Sequence, residues 1–234
     1  INKDRHVKKT KQLALEDGSN IAVVGGGPSG SFFSYFTLTL AERFGIDINL
    51  DIIEAKDFNC IGPLGCNHCG GIISESLIQM LSTEGIVLPP EVIRSGIETY
   101  TLHLEQGSTV IEAPGNEQRI ASIFRGIGPK GCHVNGKKSF DNHLLELCKS
   151  KGANIIYDKV IEAERKENGI LIKTKKQFEK EYDFVVGAIG LNQKTFELFH
   201  KLCPSFRIPK TTRTYIAEIH MEEELIQKHF GDSM

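Results

Sequence analysis

The segment best suited to chemistry is a glycine-rich turn with the spacing Gly25-x-Gly27-x-x-Gly30. In such a turn the first glycine permits a tight bend, and the second lets a pyrophosphate approach the backbone. The third lets a following helix pack closely on the preceding strand. Pro28 and Ser29 complete the turn, where the first N–H groups of a helix and its dipole can bind phosphate. The spacing therefore predicts a dinucleotide-binding turn.

An acidic residue stands where such a site requires one. Glu54 follows Gly30 by 24 residues, and an acid at about this distance accepts hydrogen bonds from the hydroxyls of the adenosine ribose. Ala55, its neighbour, is expected at the same edge. The alternative is a glycine-rich connection that binds nothing, but the strand, the turn and the acid together favour a nucleotide.

A cysteine cluster is the second candidate for chemistry. Cys66 and Cys69 form a Cys-x-x-Cys pair that could act as redox thiols, with a helix beginning near Ile72 lowering their pKa. Cys60 and His68 would complete a metal site, but a second ligand pair at zinc-finger spacing is missing. We therefore predict no metal, and the choice between redox thiols and a glycine-rich loop with incidental thiols stays open.

The composition excludes several classes of protein. The 234 residues include 28 Lys and Arg against 30 Asp and Glu, a balance that gives no electrostatic reason to bind nucleic acid. Six cysteines are too sparse for a secreted disulfide framework. The sequence has no run of about 18 apolar residues, which predicts no transmembrane helix. We expect a cytoplasmic α/β protein, with peripheral association with a membrane left open.

The elements that position the turn are a β-α-β unit. Residues 21–24 are a short apolar run typical of a strand buried on both faces. Residues 31–44 have apolar residues at helical spacing, and 48–54 form a second strand. Further predicted elements are helices at 72–82, 139–151 and 222–229, and strands at 97–104, 108–112, 154–157, 160–166, 170–174, 177–179, 182–186 and 211–220.

The order of these elements favours FAD over NAD. A nicotinamide dehydrogenase would continue after Glu54 into further β-α units. This chain instead enters a Cys- and Gly-rich loop and a strand-rich stretch, then returns to a lone apolar strand. A Rossmann-like parallel sheet with inserted β-rich segments is the predicted fold, and a NAD-binding module is the alternative.

Three stretches resemble, in order, the superfamily of flavin monooxygenases and geranylgeranyl reductases. They are residues 23–30 with Glu54, the segment S-F-D-N-H-L at 139–144, and the segment D-F-V-V-G-A-I-G-L-N at 183–192. The loop C-N-H-C-G-G-I at 66–72 is similar to the Cys-Gly-Gly loop of the geranylgeranyl reductase branch. The resemblance implies an FAD-binding domain at 20–96 and 120–203 after a polar lead-in at 1–19. Residues 97–119 and 204–234 would begin a β-rich substrate domain.

The resemblance also implies roles for individual residues. Gly70 and Gly71 would lie beside the isoalloxazine ring, with Cys66 and Cys69 as candidate catalytic residues, and Gly190 would line the cofactor. Lys137 and Lys138 occupy the place of the family's arginine before the Phe-Asp helix. Arg119 or Arg125 is expected to replace it, and Arg125 is our candidate.

Two further departures concern the electron donor and the length of the chain. Ile189 stands where the family has an aspartate, which argues against direct reduction by NADPH. The family's third motif, Gly-Asp-Ala, has no counterpart except Gly231-Asp232 close to the last residue, so we expect a chain truncated at its C-terminus and inactive alone.

The resulting hypothesis is an FAD-dependent oxidoreductase that reduces isoprenoid-type double bonds by hydride from reduced flavin. The expected partners are a small-molecule or lipid-like substrate and, as electron source, NAD(P)H or an electron-donor protein. The alternatives are an aromatic-ring hydroxylase of the same fold and a non-catalytic flavin electron-transfer subunit.

Overall fold

The first elements of the chain confirm the predicted β-α-β unit. A computed structural model describes residues 14–58, 71–97, 99–112, 120–125, 138–212, 219 and 221–230. Strand β1 (Ser19–Val24) leads into helix α1 (Pro28–Phe44), which begins three residues earlier than expected because Pro28 is suited to a first helical turn. Gly45 ends α1 in the left-handed conformation, and β2 (Ile48–Glu54) follows.

The remaining elements are runs of strands separated by single helices. In chain order they are β3 (Ile72–Ser74), α2 (Glu75–Thr83), β4 (Ile93–Ile97), β5 (Thr99–Leu104), β6 (Gly107–Glu112), β7 (Ile120–Ile123), α3 (Phe140–Ser150), β8 (Asn154–Tyr157), β9 (Val160–Arg165), β10 (Ile170–Thr174), β11 (Glu179–Tyr182), β12 (Phe184–Gly187), α4 (Gln193–Leu202) and α5 (Glu223–Phe230). None of the helices in the described part of the chain is both long and apolar enough to cross a membrane.

A parallel sheet of four strands, in the order β12-β1-β2-β8, is the centre of the fold. Ile21 and Val23 of β1 face a core shared with α1 and α3, whereas Ala22 and Val24 face a second core shared with β9 to β11. Both faces of β1 are therefore buried, as its continuous apolar run predicted.

In the part of the chain that the structure describes, three antiparallel sheets are formed by segments inserted between the strands of this parallel sheet. They are β11-β10-β9, β3-β7-β4 and the two-stranded β5-β6. The chain is therefore a mixed α/β fold whose parallel nucleotide-type sheet carries inserted β-rich segments, which confirms the predicted fold class.

Several predicted boundaries were wrong. Residues 72–82 are not one helix: 72–74 form β3, and α2 begins only at Glu75 because the Ser74 hydroxyl accepts the Leu77 N–H as a helix cap. The strand predicted at 177–179 begins only at Glu179 as β11, since Gln177 has a φ of 68° and lies in the preceding turn. Tyr182 belongs to β11 rather than to the following strand.

Helix α4 was not predicted, and the strand predicted at 211–220 cannot be compared with the structure. Helix α4 begins where the Asn192 side chain accepts the Thr195 N–H, a capping signal that the sequence contains. The strand predicted at 211–220 lies mostly outside the described residues.

Candidate functional site

The glycine turn between β1 and α1 tolerates no side chain at two of its positions. Gly25 has a φ of 109°, and a Cβ atom there would collide with the carbonyl oxygen of Ala188. A Cβ on Gly30 would collide with the carbonyl oxygen of Gly25. The first and last glycines are therefore required by the close contact of strand, turn and helix.

Gly27, in contrast, is not restricted by close contacts with neighbouring atoms. It caps α1 with ordinary extended backbone, and a Cβ on it would meet only the Asp141 Oδ1 atom, 4.0 Å away. Among the described residues no side chain caps α1, and the first N–H groups of a helix have no acceptor within the helix. We call the turn 25–30, with the first turn of α1, the phosphate corner, because the N–H groups at the start of a helix and the helix dipole suit an anion.

Glu54 is held in place at the end of β2. Its Oε2 atom accepts the Gly26 N–H at 2.7 Å, and its Oε1 atom accepts the Lys56 N–H at 2.8 Å. Each carboxylate oxygen keeps a second lone pair. The side chain is thus oriented by the backbone and can still accept hydrogen bonds from ribose hydroxyls.

A cleft of about 420 Å³ joins the phosphate corner to Glu54. Seven of the predicted site residues line it: Gly25, Gly27, Pro28, Glu54, Ala55, Arg125 and Gly190. Ser29 and Gly30 lie in the first turn of α1, where Gly30 packs against the carbonyl group of Gly25.

A buried ion pair forms one wall of this cleft. The Arg125 Nε atom donates to Asp141 Oδ2 at 2.7 Å, and one Nη atom donates to Asp141 Oδ1 at 2.6 Å. The Asp141 side chain is 1% exposed and that of Arg125 is 12% exposed. Of the two arginines considered for this position, Arg125 lies in the cleft, and Arg119 is outside the described residues.

Asp158 lines the cleft beyond the end of β8. Burial raises its pKa, but hydrogen bonds from the Thr174 hydroxyl and from the N–H groups of Lys176 and Lys159 outweigh this effect, so the pKa is lower than usual. Asp158 is therefore a carboxylate whose hydrogen bonds fix the chain at this edge of the cleft.

Gly71 is the one predicted residue of the cysteine loop within the described part of the chain, and it does not line the cleft. Gly71 is buried next to β7, and its carbonyl accepts the Ile123 N–H at 2.7 Å. Cys66, Cys69 and Gly70 lie outside the described residues, so their roles remain predictions. Within the described part of the chain, no three His, Cys, Asp or Glu side chains are placed to bind a metal ion.

Cys148 belongs to α3 and lies in the core. Its thiol is fully buried between α1 and α3 and donates to the Ser31 carbonyl at 3.1 Å. Burial raises its pKa to about 12, so it remains a protonated thiol at neutral pH.

Several residues that line the cleft were missed by the sequence analysis. Asp141 belonged to a quoted motif but received no role, and Asp158, Asn192 and Thr195 received none. Asp158 had a usable signal: it follows β8, and the carboxyl ends of parallel strands meet at the same edge of a sheet. The rule that indicated Glu54 would have indicated Asp158 as well.

The chain's fold is similar to that of solved flavin-dependent enzymes. The flavin-dependent brominase Bmp2 matches at a TM-score of 0.54 and 14% identity, covering 78% of this chain and 40% of that one. Two structures of the halogenase PltM match at TM-scores of 0.50 and 0.51 and at 12% and 11% identity, covering 74% and 76% of this chain and 34% and 37% of those chains. At such identities the likeness establishes the fold. This chain spans 40% or less of these structures, and neither the protein-family models nor the curated proteins compared with it give a match.

Proposed function

We propose that the chain binds the ADP part of FAD and is part of an FAD-dependent oxidoreductase. The observation that carries this proposal is one cleft that contains a glycine turn at an uncapped helix N-terminus and an oriented carboxylate, Glu54, at the end of the neighbouring strand. The fold shared with a flavin-dependent brominase favours FAD over NAD.

Each part of the cleft has a distinct role in this proposal. The phosphate corner would bind the pyrophosphate, and Glu54 would accept hydrogen bonds from the ribose hydroxyls. Gly27 has no side chain and leaves the room that a phosphate needs. Bound FAD would supply the electron chemistry, while the protein binds and orients it.

The substrate chemistry has two candidates. The resemblance of the loop at 66–72 to geranylgeranyl reductases supports reduction of an isoprenoid-type double bond. The fold shared with a brominase and the halogenase PltM supports an oxidation that consumes oxygen, as in the aromatic-ring hydroxylase alternative. Oxygen uptake by the reduced flavoprotein with an aromatic substrate distinguishes the second candidate from the first.

The electron source is proposed from one position in the cleft. Ile189 lines the cleft where the resemblance implies an aspartate, and an apolar side chain there offers no charge to a nicotinamide cofactor. This supports reduction by an electron-donor protein rather than directly by NAD(P)H.

The visible absorption spectrum of the purified protein tests the proposal. After incubation with FAD and removal of free flavin, the protein is expected to be yellow and to be bleached by a chemical reductant. A colourless protein that takes up NAD⁺ instead would favour the NAD-binding module, and one that binds neither would contradict the proposal.

A further inference from the structure

Asp141 is an acidic residue at the edge of a site that should bind an anion. It stands in the first turn of α3, and its Oδ1 atom lies 4.0 Å from the position of a Cβ on Gly27. Its side chain is 1% exposed, so water screens its charge poorly. By its charge alone, Asp141 should weaken the binding of phosphate at the phosphate corner.

The geometry of the ion pair suggests why an acid is present. Both carboxylate oxygens accept N–H groups from one edge of the Arg125 guanidinium, at 2.7 and 2.6 Å. A planar guanidinium held by two parallel hydrogen bonds has a fixed orientation, which a single contact does not give. Arg125 lies two residues beyond the end of β7 (Ile120–Ile123), outside the hydrogen-bonded strand. The Asp141 carboxylate therefore fixes the orientation of the guanidinium where the strand does not.

We propose that Asp141 is a positioning residue that orients Arg125 for binding the phosphates of a dinucleotide. This inference rests on the proposed function, because it assumes that the cleft binds a nucleotide with phosphate groups. Asp141 itself would not touch the ligand. Its contribution would be the orientation of a cation that otherwise samples several rotamers.

The proposal predicts the direction in which one substitution changes the affinity for phosphate. Asp141→Asn removes a negative charge next to the phosphate corner, so electrostatics alone predicts tighter binding of an anion. It also removes one of the two charge-assisted hydrogen bonds that hold Arg125, because an amide nitrogen cannot accept. If orientation dominates, the variant binds phosphate more weakly although the cleft has become more positive.

The experiment compares ADP with adenosine, which lacks the phosphates. Calorimetric titrations are carried out on the parent protein, on Asp141→Asn and on Asp51→Asn, a control that neutralises a buried acid outside the cleft lining. We expect Asp141→Asn to weaken ADP binding about tenfold, the equivalent of one charge-assisted hydrogen bond. Adenosine binding should be unchanged in both variants, and ADP binding unchanged in the control.

A second variant keeps the proposal testable if Asp141→Asn does not fold. Arg125→Lys keeps the positive charge but not the planar fork, and it should likewise weaken ADP relative to adenosine. In the double variant the two losses should be less than additive, since both act through one pair.

The outcomes separate the two proposals. If the parent binds neither ADP nor FAD, the proposed function fails and this inference fails with it. If the parent binds ADP but Asp141→Asn and Arg125→Lys bind it at least as tightly, only the positioning role is overturned. An equal loss for ADP and adenosine would also overturn it, because that result indicates a general structural defect.

Discussion

Two buried carboxylates are held in different ways in this molecule. Asp141 lies in the wall of the cleft, and both of its carboxylate oxygens accept hydrogen bonds from Arg125. Asp51 lies in the middle of β2 and receives three donors at 2.8 Å, from Lys180, Tyr182 and Asn154. The Asp141 pair joins the acid to one cation next to the candidate phosphate site. The hydrogen bonds of Asp51 instead connect three strands, β2, β8 and β11.

The location of the two acids explains this difference. Asp51 connects the parallel sheet to β11, which carries both Lys180 and Tyr182. Burial raises the pKa of Asp51, but the hydrogen bonds from Lys180, Asn154 and Tyr182 outweigh this and lower it overall. We interpret the Asp51 cluster as structural and the Asp141 pair as part of the site.

The largest expected effect comes from removing the cation next to Asp141. Arg125→Met leaves a carboxylate that is 1% exposed without its ion-pair partner. Such a change costs about 3–5 kcal/mol of the free energy of unfolding, which is measured by urea denaturation.

The corresponding change at Asp51 gives the comparison for this experiment. Lys180→Met removes a lysine that is 34% exposed and leaves two donors on Asp51, so its cost should be much smaller. Equal costs for the two variants would contradict the distinction between the pairs.

A smaller effect is expected from the buried hydroxyl in the Asp51 cluster. Tyr182→Phe removes the 2.8 Å hydrogen bond to Asp51 while keeping the ring in the core. Hydrogen bonds to charged groups contribute about 1.5–3 kcal/mol, so the urea midpoint should fall accordingly. ADP affinity should not change, and a loss of ADP binding would show that the cluster also serves the site.

The smallest effect is a dependence of stability on alkaline pH. Burial and the neighbouring Asp51 carboxylate raise the pKa of Tyr182 above its ordinary value of 10.0. The unfolded chain therefore loses this proton first, and the stability contributed by Tyr182 is complete below about pH 10 and is lost as the pH rises further.

Tyr182→Phe isolates this contribution. Cys148 and Tyr157, whose pKa values are also raised by burial, are present in both proteins, so their contributions cancel. The difference in unfolding free energy between parent and variant should shrink above pH 10. A constant difference would contradict the raised pKa.

The sequence predicted the nucleotide half of the fold because its signals are local. The run 21–24 and the glycine spacing each act within a few residues, and both lie in the expected elements. The boundary between β3 and α2 was missed because Ser74 acts as a helix cap within an otherwise continuous apolar pattern.

The candidate site was predictable only in part. Glu54 could be placed from its distance to the turn, but the partner of Arg125 is set by how β7 meets α3 across 16 residues of chain. The Asp51 cluster joins residues more than 100 positions apart, and an aspartate within an apolar strand gives no indication of which donors it will meet.

The most direct test of the account is an FAD titration of a variant that fills the phosphate corner. A Cβ atom on Gly27 would meet no atom of the described residues closer than 4.0 Å, so we expect Gly27→Val to fold and yet to occupy the space that the pyrophosphate needs. Gly96→Val, at an open position in β4, is the matched control. Flavin fluorescence should show FAD binding to the parent and to Gly96→Val, and none to Gly27→Val at concentrations that saturate the parent. Equal binding by all three proteins would place FAD elsewhere and contradict the account.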